Sequence, residues 1–348
     1  MEKFTIGIDI GGTKVAYGLF NGQKQIVGRK THPSNAAYSP EEFFDEVITN
    51  IRSIMSENQI EIENLRGVGI GMPSFILFEE GRIIKTSNLT NIHDFPARSY
   101  LMERLGGARV IIDNDAHVAA IAEHRYGAGR GFSNMLYCPL STGISTGIII
   151  NGSIFRGRYG WAGETGHVIA TPDDGLLCGC GNRGCFMSWC SGSMIVKHIR
   201  KWIDAGEKSR ITEIAGDEEL DCRHLVIAYN ENDALARRAV TQMVKYLGLW
   251  TFNLYLTLNI NCFVFGGGLI RMFRTLKDEV AKPDEVAKPD GGASPDEAAK
   301  PVGLLAAMKE VFDGYNKNSM PVYFREAELS DDVSGDDSGI IGAAELLF

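Results

Sequence analysis

The sequence lacks any apolar run of about 18 residues or more, so no transmembrane helix is expected. It also lacks an excess of positive charge. Lys and Arg number 35 against 44 Asp and Glu, a net charge of -9, so no broad electrostatic footprint for nucleic acid is present. The first residues, MEKFTIGIDIGG, have no basic start, apolar stretch and small-residue cleavage site in succession, so no secretory signal is expected. A reducing cytoplasm is therefore the expected compartment. The 7 cysteines are an odd number, which in that compartment argues against a disulfide framework and leaves room for a metal site. Repeats are absent except for a D-E-V/A-A-K-P unit confined to 277–301, so a repeat architecture is not expected. That segment reads as a solvated low-complexity insertion, because its prolines interrupt regular helix.

What remains is an ordinary globular composition, 44% hydrophobic and 23% charged over 348 residues, enough for about two domains. Residues 4–9 alternate apolar and small side chains and meet Gly11-Gly12, a strand ending in a tight glycine turn. Residues 15–20 read as a second strand, and Asn21-Gly22 as the hairpin turn into a third near 25–29. Ser39-Pro40-Glu41-Glu42 predicts a helix start, with apolar spacing running on to about residue 55. Residues 68–71 and 110–112 read as buried strands; the second ends at Asp113-Asn114-Asp115 before an alanine-rich helix over 116–126. Strands at 135–140 and 147–150 pair, with Asn151-Gly152 as a hairpin turn. Helices are predicted over 191–205 and 233–258, and a buried strand over 261–265 runs into Gly266-Gly267-Gly268.

Six constellations are candidates for chemistry. Asp9-Ile-Gly11-Gly12-Thr13-Lys14 follows a strand, so its glycines can bring backbone N–H groups close to phosphate, while Asp9 suits a hydrated magnesium ion. The bland alternative is an ordinary strand-turn-strand. Ser141-Thr142-Gly143 and Gly266-Gly267-Gly268 are further glycine turns after strands, each common punctuation alone. Three such turns together point to an ATP cleft between two related halves, the actin-like or hexokinase-like ATPase arrangement. His167 with Cys178-Gly-Cys180-Gly-Asn-Arg-Gly-Cys185 matches a tetrahedral Cys₃His zinc site with no open position, hence structural; the alternative is three reduced thiols. Asn114-Asp115 either caps the following helix or serves a sugar, with Asp115 taking the proton of the attacking hydroxyl. Glu164 and His167, in Gly163-Glu-Thr-Gly-His, suit sugar hydroxyls, and His167 has a ring nitrogen for the metal and another for the sugar.

Together these motifs resemble the ROK family of sugar kinases and repressors. Asp9-Ile-Gly-Gly-Thr-Lys is similar to its phosphate motif, Asn114-Asp115-Ala to its catalytic motif, and 157–167 to its signature. Cys178 to Cys185 is similar to its zinc motif, and Ser338-Gly-Ile-Ile-Gly-Ala-Ala to its carboxy-terminal helix. The likeness spans nearly the whole chain outside 277–301. It implies a two-domain actin-like α/β fold with an interdomain cleft. The smaller domain would take 1–115 with about 330–348, carrying the phosphate loop and base. The larger would take 116–329, carrying the zinc loop and the nucleotide glycines. It implies Mg–ATP as cosubstrate, a hexose phosphorylated at its 6-hydroxyl, Asp115 as base, and a homodimer. Sugar contacts would come from Asn88, Asn114, Asp115, Glu164 and His167. Repressor members carry an amino-terminal DNA-binding domain; this sequence starts at the phosphate strand, so that branch is not expected. Three departures from the family pattern stand out: Met187 where a sugar-binding glutamate is usual, serines at both 141 and 145, and His117 in place of an asparagine. Met187 keeps two other readings open, a kinase for an N-acetylhexosamine or allose and a non-catalytic sugar-binding regulator.

Overall fold

The computed structural model describes residues 2–276, 302–329 and 337–348. The low-complexity segment at 277–301 lies outside the described residues. The chain forms two compact units, Met1–Tyr137 with Thr146–Gly163 and Ala327–Phe348, and Cys138–Ser145 with Glu164–Glu326.

The first unit begins with β1 (Phe4–Ile10), β2 (Lys14–Phe20), β3 (Ile26–Pro33), helix α1 (Pro40–Glu57) and β4 (Leu65–Met72). A small antiparallel sheet of β5 (Ser74–Leu77), β6 (Arg82–Thr86) and β7 (His93–Phe95) follows, which the sequence pattern did not announce. Then come α2 (Ala97–Arg104), β8 (Arg109–Asn114), α3 (Asp115–Tyr126), and the antiparallel strands β9 (Met135–Pro139), β10 (Gly147–Ile150) and β11 (Ser153–Ile154). The main sheet has the order β3-β2-β1-β4-β8, with β1, β4 and β8 parallel. Helix α3, foreseen in the second domain, is part of the first unit.

Strand alternation explains how this unit packs. On one face of β1 and β4 lie Ile6, Ile8, Ile10, Val68, Ile70 and Met72, buried with Phe43, Phe44 and Val47 of α1. From residue 67 onward the other face of β4 carries only glycine, at 67, 69 and 71, so helices rest directly on the backbone there. A Cβ at Gly69 would lie 1.8 Å from the Ala343 carbonyl oxygen, and one at Gly71 would lie 2.4 Å from Val118 Cγ2. The helix that delivers Ala343 is the carboxy-terminal one, Asp337–Glu345, the glycine-alanine segment marked in the sequence.

Local signals are realised with one exception. Ser39 Oγ accepts from the Glu42 N–H at 3.2 Å, and the Glu42 carboxylate accepts from the Ser39 N–H at 2.8 Å, a complete capping box ahead of α1. Asn151 and Gly152 both have positive φ, 52° and 74°, as a two-residue hairpin turn requires. The Asn21-Gly22 pair behaves differently. Asn21 Oδ1 accepts from the N–H groups of Gln23 and Gln25, and the left-handed residue is Lys24, so the loop is longer than two residues. The asparagine side chain builds its own turn here instead of leaving the bend to the glycine.

The second unit holds α4 (Met187–Cys190), α5 (Gly192–Asp204), α6 (Ile211–Ala215), α7 (Cys222–Asn230), α8 (Ala234–Leu258), β12 (Cys262–Gly266), α9 (Gly268–Met272), α10 (Gly303–Tyr315) and β13 (Tyr323–Glu326). The chain then returns to the first unit as α11 (Asp337–Glu345). Strands β12 and β13 pair in parallel. Phe263, Phe312 and Phe324 pack there with ring centroids 5.3–6.2 Å apart, so aromatic rings dominate this core as isoleucine dominates the first. The 25-residue α8 starts at Asp233, whose carboxylate accepts from the Ala236 N–H at 2.8 Å. Among the described residues no helix is long and apolar enough to cross a membrane.

Candidate active site and metal centre

In the first unit the phosphate-loop candidates cluster at the β1–β2 turn. The Gly11 N–H donates to the Lys14 carbonyl at 2.9 Å, and Ser34 Oγ donates to the Gly11 carbonyl at 2.7 Å, so the turn is fixed from two sides. Gly11 and Gly12 are half-buried while Thr13 and Lys14 are exposed. Asn88, exposed, stands over the turn: a Cβ at Gly12 would come 2.9 Å from Asn88 Cβ. Asp9, the next-to-last residue of β1, stands beside the first turn of α11, where a Cβ at Gly339 would meet its Cγ at 2.5 Å. Glycine at 339 therefore makes the space this carboxylate occupies.

Asn114 and Asp115 join β8 to α3. Both readings of this pair hold geometrically. Asn114 is the N-cap, its Oδ1 accepting from the Ala116 N–H at 2.9 Å, and its Nδ2 reaches the Ser74 carbonyl at 3.4 Å. Asp115 opens the helix, half-buried, with Oδ1 also accepting from the Ala116 N–H at 2.9 Å. The N-terminal end of a helix favours a negative charge at that position. Asn114 is buried and holds the chain through one contact of its amide oxygen and one of its amide nitrogen, and Asp115 is the more accessible of the two.

Behind them lies a buried charged cluster. Asp113 accepts from His117 Nδ1 at 2.9 Å and from Arg156 Nε at 2.8 Å, and its Oδ1 also accepts from the Asn114 N–H at 2.8 Å. His117 Nε2 donates to the Ala162 carbonyl at 2.7 Å. Burial alone would raise the Asp113 carboxyl, but His117 and Arg156 outweigh it and hold it below the usual range. Burial likewise disfavours charge on His117, and the Asp113 partner reverses the sign and raises it. A cavity of about 620 Å³ in this unit is lined by Arg98, Arg109, His124 and Arg125, at the far end of α3 from Asp115. It belongs to a different part of the unit from the Asn114–Asp115 pair.

In the second unit the remaining glycine loops come together. The Leu140 N–H donates to the Gly266 carbonyl at 2.9 Å and the Leu269 N–H to the Leu140 carbonyl at 3.0 Å, so the 140–143 loop and Gly266-Gly267-Gly268 are neighbours. Thr142 is exposed and Gly143 half-buried. Sequence reasoning missed a third member of this corner, the start of α5. The Gly192 N–H donates to the Ser141 carbonyl at 2.9 Å and Ser193 Oγ to the Thr142 carbonyl at 2.8 Å. Only the serine-glycine cluster Ser191-Gly192-Ser193 ahead of a helix signalled it. Met187 opens α4 beside the same loop, its Cε 3.5 Å from where a Cβ at Gly143 would stand.

The metal candidates do converge. The ligand atoms of His167, Cys178, Cys180 and Cys185 all lie within 4.8 Å of one another. The Cys180 and Cys185 Sγ atoms are 3.6 Å apart, and His167 Nδ1 is 3.4 Å from Cys178 Sγ. Thiolates bound tetrahedrally at ~2.3 Å stand ~3.8 Å apart, so the donor set fits one zinc-sized ion. The peptide is folded for this: the Gly181 N–H donates to the Cys178 carbonyl at 3.0 Å and the Cys178 N–H to the Asn182 carbonyl at 2.8 Å. The other ring nitrogen of His167 lies 3.8 Å from Glu164 Oε2. Trp250 Nε1 donates to the Thr165 carbonyl at 3.3 Å and holds the turn between those two residues. Cys190 is buried, donating to the Phe186 carbonyl at 3.1 Å, and stands apart from the cluster.

Comparison with known proteins places the chain in a family. The ROK family model matches residues 5–286. A glucokinase of Halalkalibacterium halodurans is 28% identical over 347 residues, covering 99% of this chain and 95% of that protein. The crystal structure of a ROK hexokinase from Thermus thermophilus superposes with a TM-score of 0.75 at 27% identity, covering 99% of this chain and 97% of that one. A ROK family glucokinase from Streptomyces griseus, solved in complex with glucose and AMPPNP, gives 0.73 at 25% identity, covering 99% and 98%. Repressors share the likeness: a xylose repressor of Bacillus spizizenii is 28% identical over 282 residues, 80% of this chain and 68% of that protein. The chain belongs to the ROK family and has the actin-like ATPase fold of its hexokinases.

Proposed function

We propose that the protein is an ATP-dependent sugar kinase that phosphorylates a hexose at its 6-hydroxyl. The observation that carries this reading is Asp115, a half-buried carboxylate at the head of α3 whose backbone is fixed by the Asn114 cap. Asp115 takes the proton of the sugar hydroxyl as its oxygen attacks the γ-phosphorus, and the bond from that phosphorus to the bridging oxygen of ADP breaks. The turn at Gly11, Gly12, Thr13 and Lys14 and the corner of Thr142, Gly143 and Gly266 to Gly268 bind the phosphates and nucleotide. Asp9 would hold the magnesium ion of Mg–ATP, which would neutralise charge on the phosphate oxygens. Asn88, Asn114, Glu164 and His167 orient the sugar hydroxyls.

Zinc is the ion we assign to His167, Cys178, Cys180 and Cys185. Four protein donors leave no open position, so its contribution is to order the 164–186 loop and hold His167. The enzyme acts as a cytoplasmic homodimer, in keeping with the family and the reduced thiols. Met187 favours a second substrate reading. A thioether beside Gly143 accepts hydroxyl hydrogen bonds poorly, which suits an N-acetylated hexosamine or allose. The test is ADP release from Mg–ATP across a panel of hexoses and N-acetylhexosamines. Sugar-dependent turnover supports the kinase and identifies its substrate. Sugar binding by calorimetry without turnover on any sugar would replace it with a regulatory protein.

A further inference from the structure

His117 stands where two acceptors meet, and neither can donate. Asp113 Oδ1 is 2.9 Å from Nδ1, and the Ala162 carbonyl oxygen is 2.7 Å from Nε2. A neutral imidazole has one N–H, so either tautomer would set a ring lone pair against an oxygen lone pair. Both contacts are hydrogen bonds only when both nitrogens carry protons. The ring is 1% exposed and Asp113 also 1%, so these bonds are shielded from water.

We propose that His117, as an imidazolium, is the positioning residue for Asp115, clamping the end of β8 to the 157–163 loop. The inference rests on the kinase reading with Asp115 as base. Three links support it. Asp113 Oδ1, which His117 holds, also accepts from the Asn114 N–H, so the clamp fixes the peptide that leads into Asp115. Arg156 Nε occupies the other Asp113 oxygen at 2.8 Å while its guanidinium lies 4.0 Å over the Phe78 ring, so the carboxylate cannot rotate freely. At the other end, Ala162 adjoins Gly163, whose carbonyl accepts from the Thr146 N–H at 2.8 Å and Oγ1 at 3.0 Å. The loop that runs on in sequence to Glu164 is thereby pinned.

The groups facing His117 set the pH dependence. Asp113 comes from β8 and Arg156 from the segment after β11, and Asp115 lies two residues earlier on α3. The elements β4, β10 and α11 meet this part of α3 through Gly71, Gly147 and Gly342. The Asp113 contact outweighs burial and the Arg156 charge, so the folded ring titrates above its ordinary value near 6.5. The clamp is therefore complete below the unfolded value and is lost as pH rises through the raised one. Turnover should decline on the alkaline side when the ring loses its proton.

The experiment compares kcat across about pH 6–9, the range in which a perturbed histidine titrates, for the full chain and for His117→Asn. The wild type should lose turnover at the alkaline end. The variant should be about tenfold slower near pH 6–7 with KM for ATP and sugar little changed, and its alkaline decline should be gone. A variant that keeps the wild-type alkaline limb overturns the proposal, even if it is less stable, because a merely structural role would leave that limb in place. A ring-nitrogen NMR titration of the wild-type protein gives a readout that needs no activity. Two protonated nitrogens at His117 at neutral pH support the clamp, and a neutral ring with one N–H overturns it. If Asp115→Asn stays fully active, the base assignment fails, whereas the NMR result on His117 stands apart from that outcome.

Discussion

The two units reach comparable order by different means. Around Asp115 the chain is regular: a strand ends, an asparagine caps, a helix begins, and a glycine-faced sheet lets α3 and α11 lie on its backbone. Around His167 the chain is irregular. From Glu164 to Cys185 it makes one short 3₁₀ turn and two isolated bridges, and its outer residues Val168, Ile169 and Leu177 are 52%, 43% and 56% exposed. Packed apolar area holds the first region, whereas in the second four candidate ligand atoms converge, which we propose an ion organises. A site in a packed framework can lose a functional group and keep its shape, whereas a site organised by an ion should lose both together.

The largest expected effect tests the first half of that contrast. Asp115→Asn keeps the volume and the helix-start position and removes the base. Turnover should fall by about 10²–10⁴-fold while sugar binding by calorimetry and thermal stability stay near wild type. Retained turnover would remove Asp115 from the base role. Cys180→Ser tests the second half. Cys180 is exposed, so its loss opens no cavity, yet zinc content measured by elemental analysis should fall and the 164–186 loop should become protease-sensitive. A stability loss of about 4 kcal/mol or more would accord with removal of a structural metal. A variant with unchanged metal and unchanged melting would show that the loop is self-supporting.

The same contrast governs what the sequence revealed. Signals that act over a few residues were legible: the capping box at Ser39, the hairpin at Asn151-Gly152, the Cys178 to Cys185 spacing, and the strand–acid–helix layout at Asp115. Signals that depend on distant partners were not. The corner formed by Ser141, Gly192 and Gly267 joins residues 51, 75 and 126 positions apart in sequence, and each glycine alone is ordinary punctuation. The sheet of β5 to β7 escaped because residues 74–95 mix charges and apolar side chains without a clean period of two. The carboxy-terminal glycine-alanine motif was visible, but its physical reason, the Gly342 position whose Cβ would meet the Val118 carbonyl at 1.7 Å, required the fold. His117 was visible only as a departure; its two acceptors lie four residues before it and 45 after it.

A third, smaller effect sharpens the contrast within the second unit. Met187 lies just after Cys185, at the border between the irregular loop and α4, so it is placed by both the ligand cluster and the helix. Met187→Glu offers a charged acceptor beside Gly143. If glucose is bound there, KM for glucose should fall about 10–100-fold, as expected for ~1.5–3 kcal/mol from a hydrogen bond to a charged group. An unchanged KM for glucose, with the best substrate of the panel also unchanged, would show that position 187 does not face the sugar.

The smallest effect lies furthest from the chemistry, in the packed framework itself. Ser39→Ala removes one half of the capping box and leaves the Glu42 N–H without its side-chain acceptor. Helix α1 does not depend on that bond alone. Pro40 presets the first turn, and Phe43, Phe44, Val47, Ile48, Ile51, Ile54 and Met55 are buried against the sheet. The freed N–H is near the surface and can bond to water, so the cost should be about 1 kcal/mol. Denaturant unfolding should show an earlier midpoint with an unchanged slope, because the surface exposed on unfolding is the same. Turnover and zinc content should not move. If either moved, the ordering of the Asp115 region would extend through the sheet to α1, and the picture of a framework that absorbs local losses would give way to one in which the first unit responds as a whole.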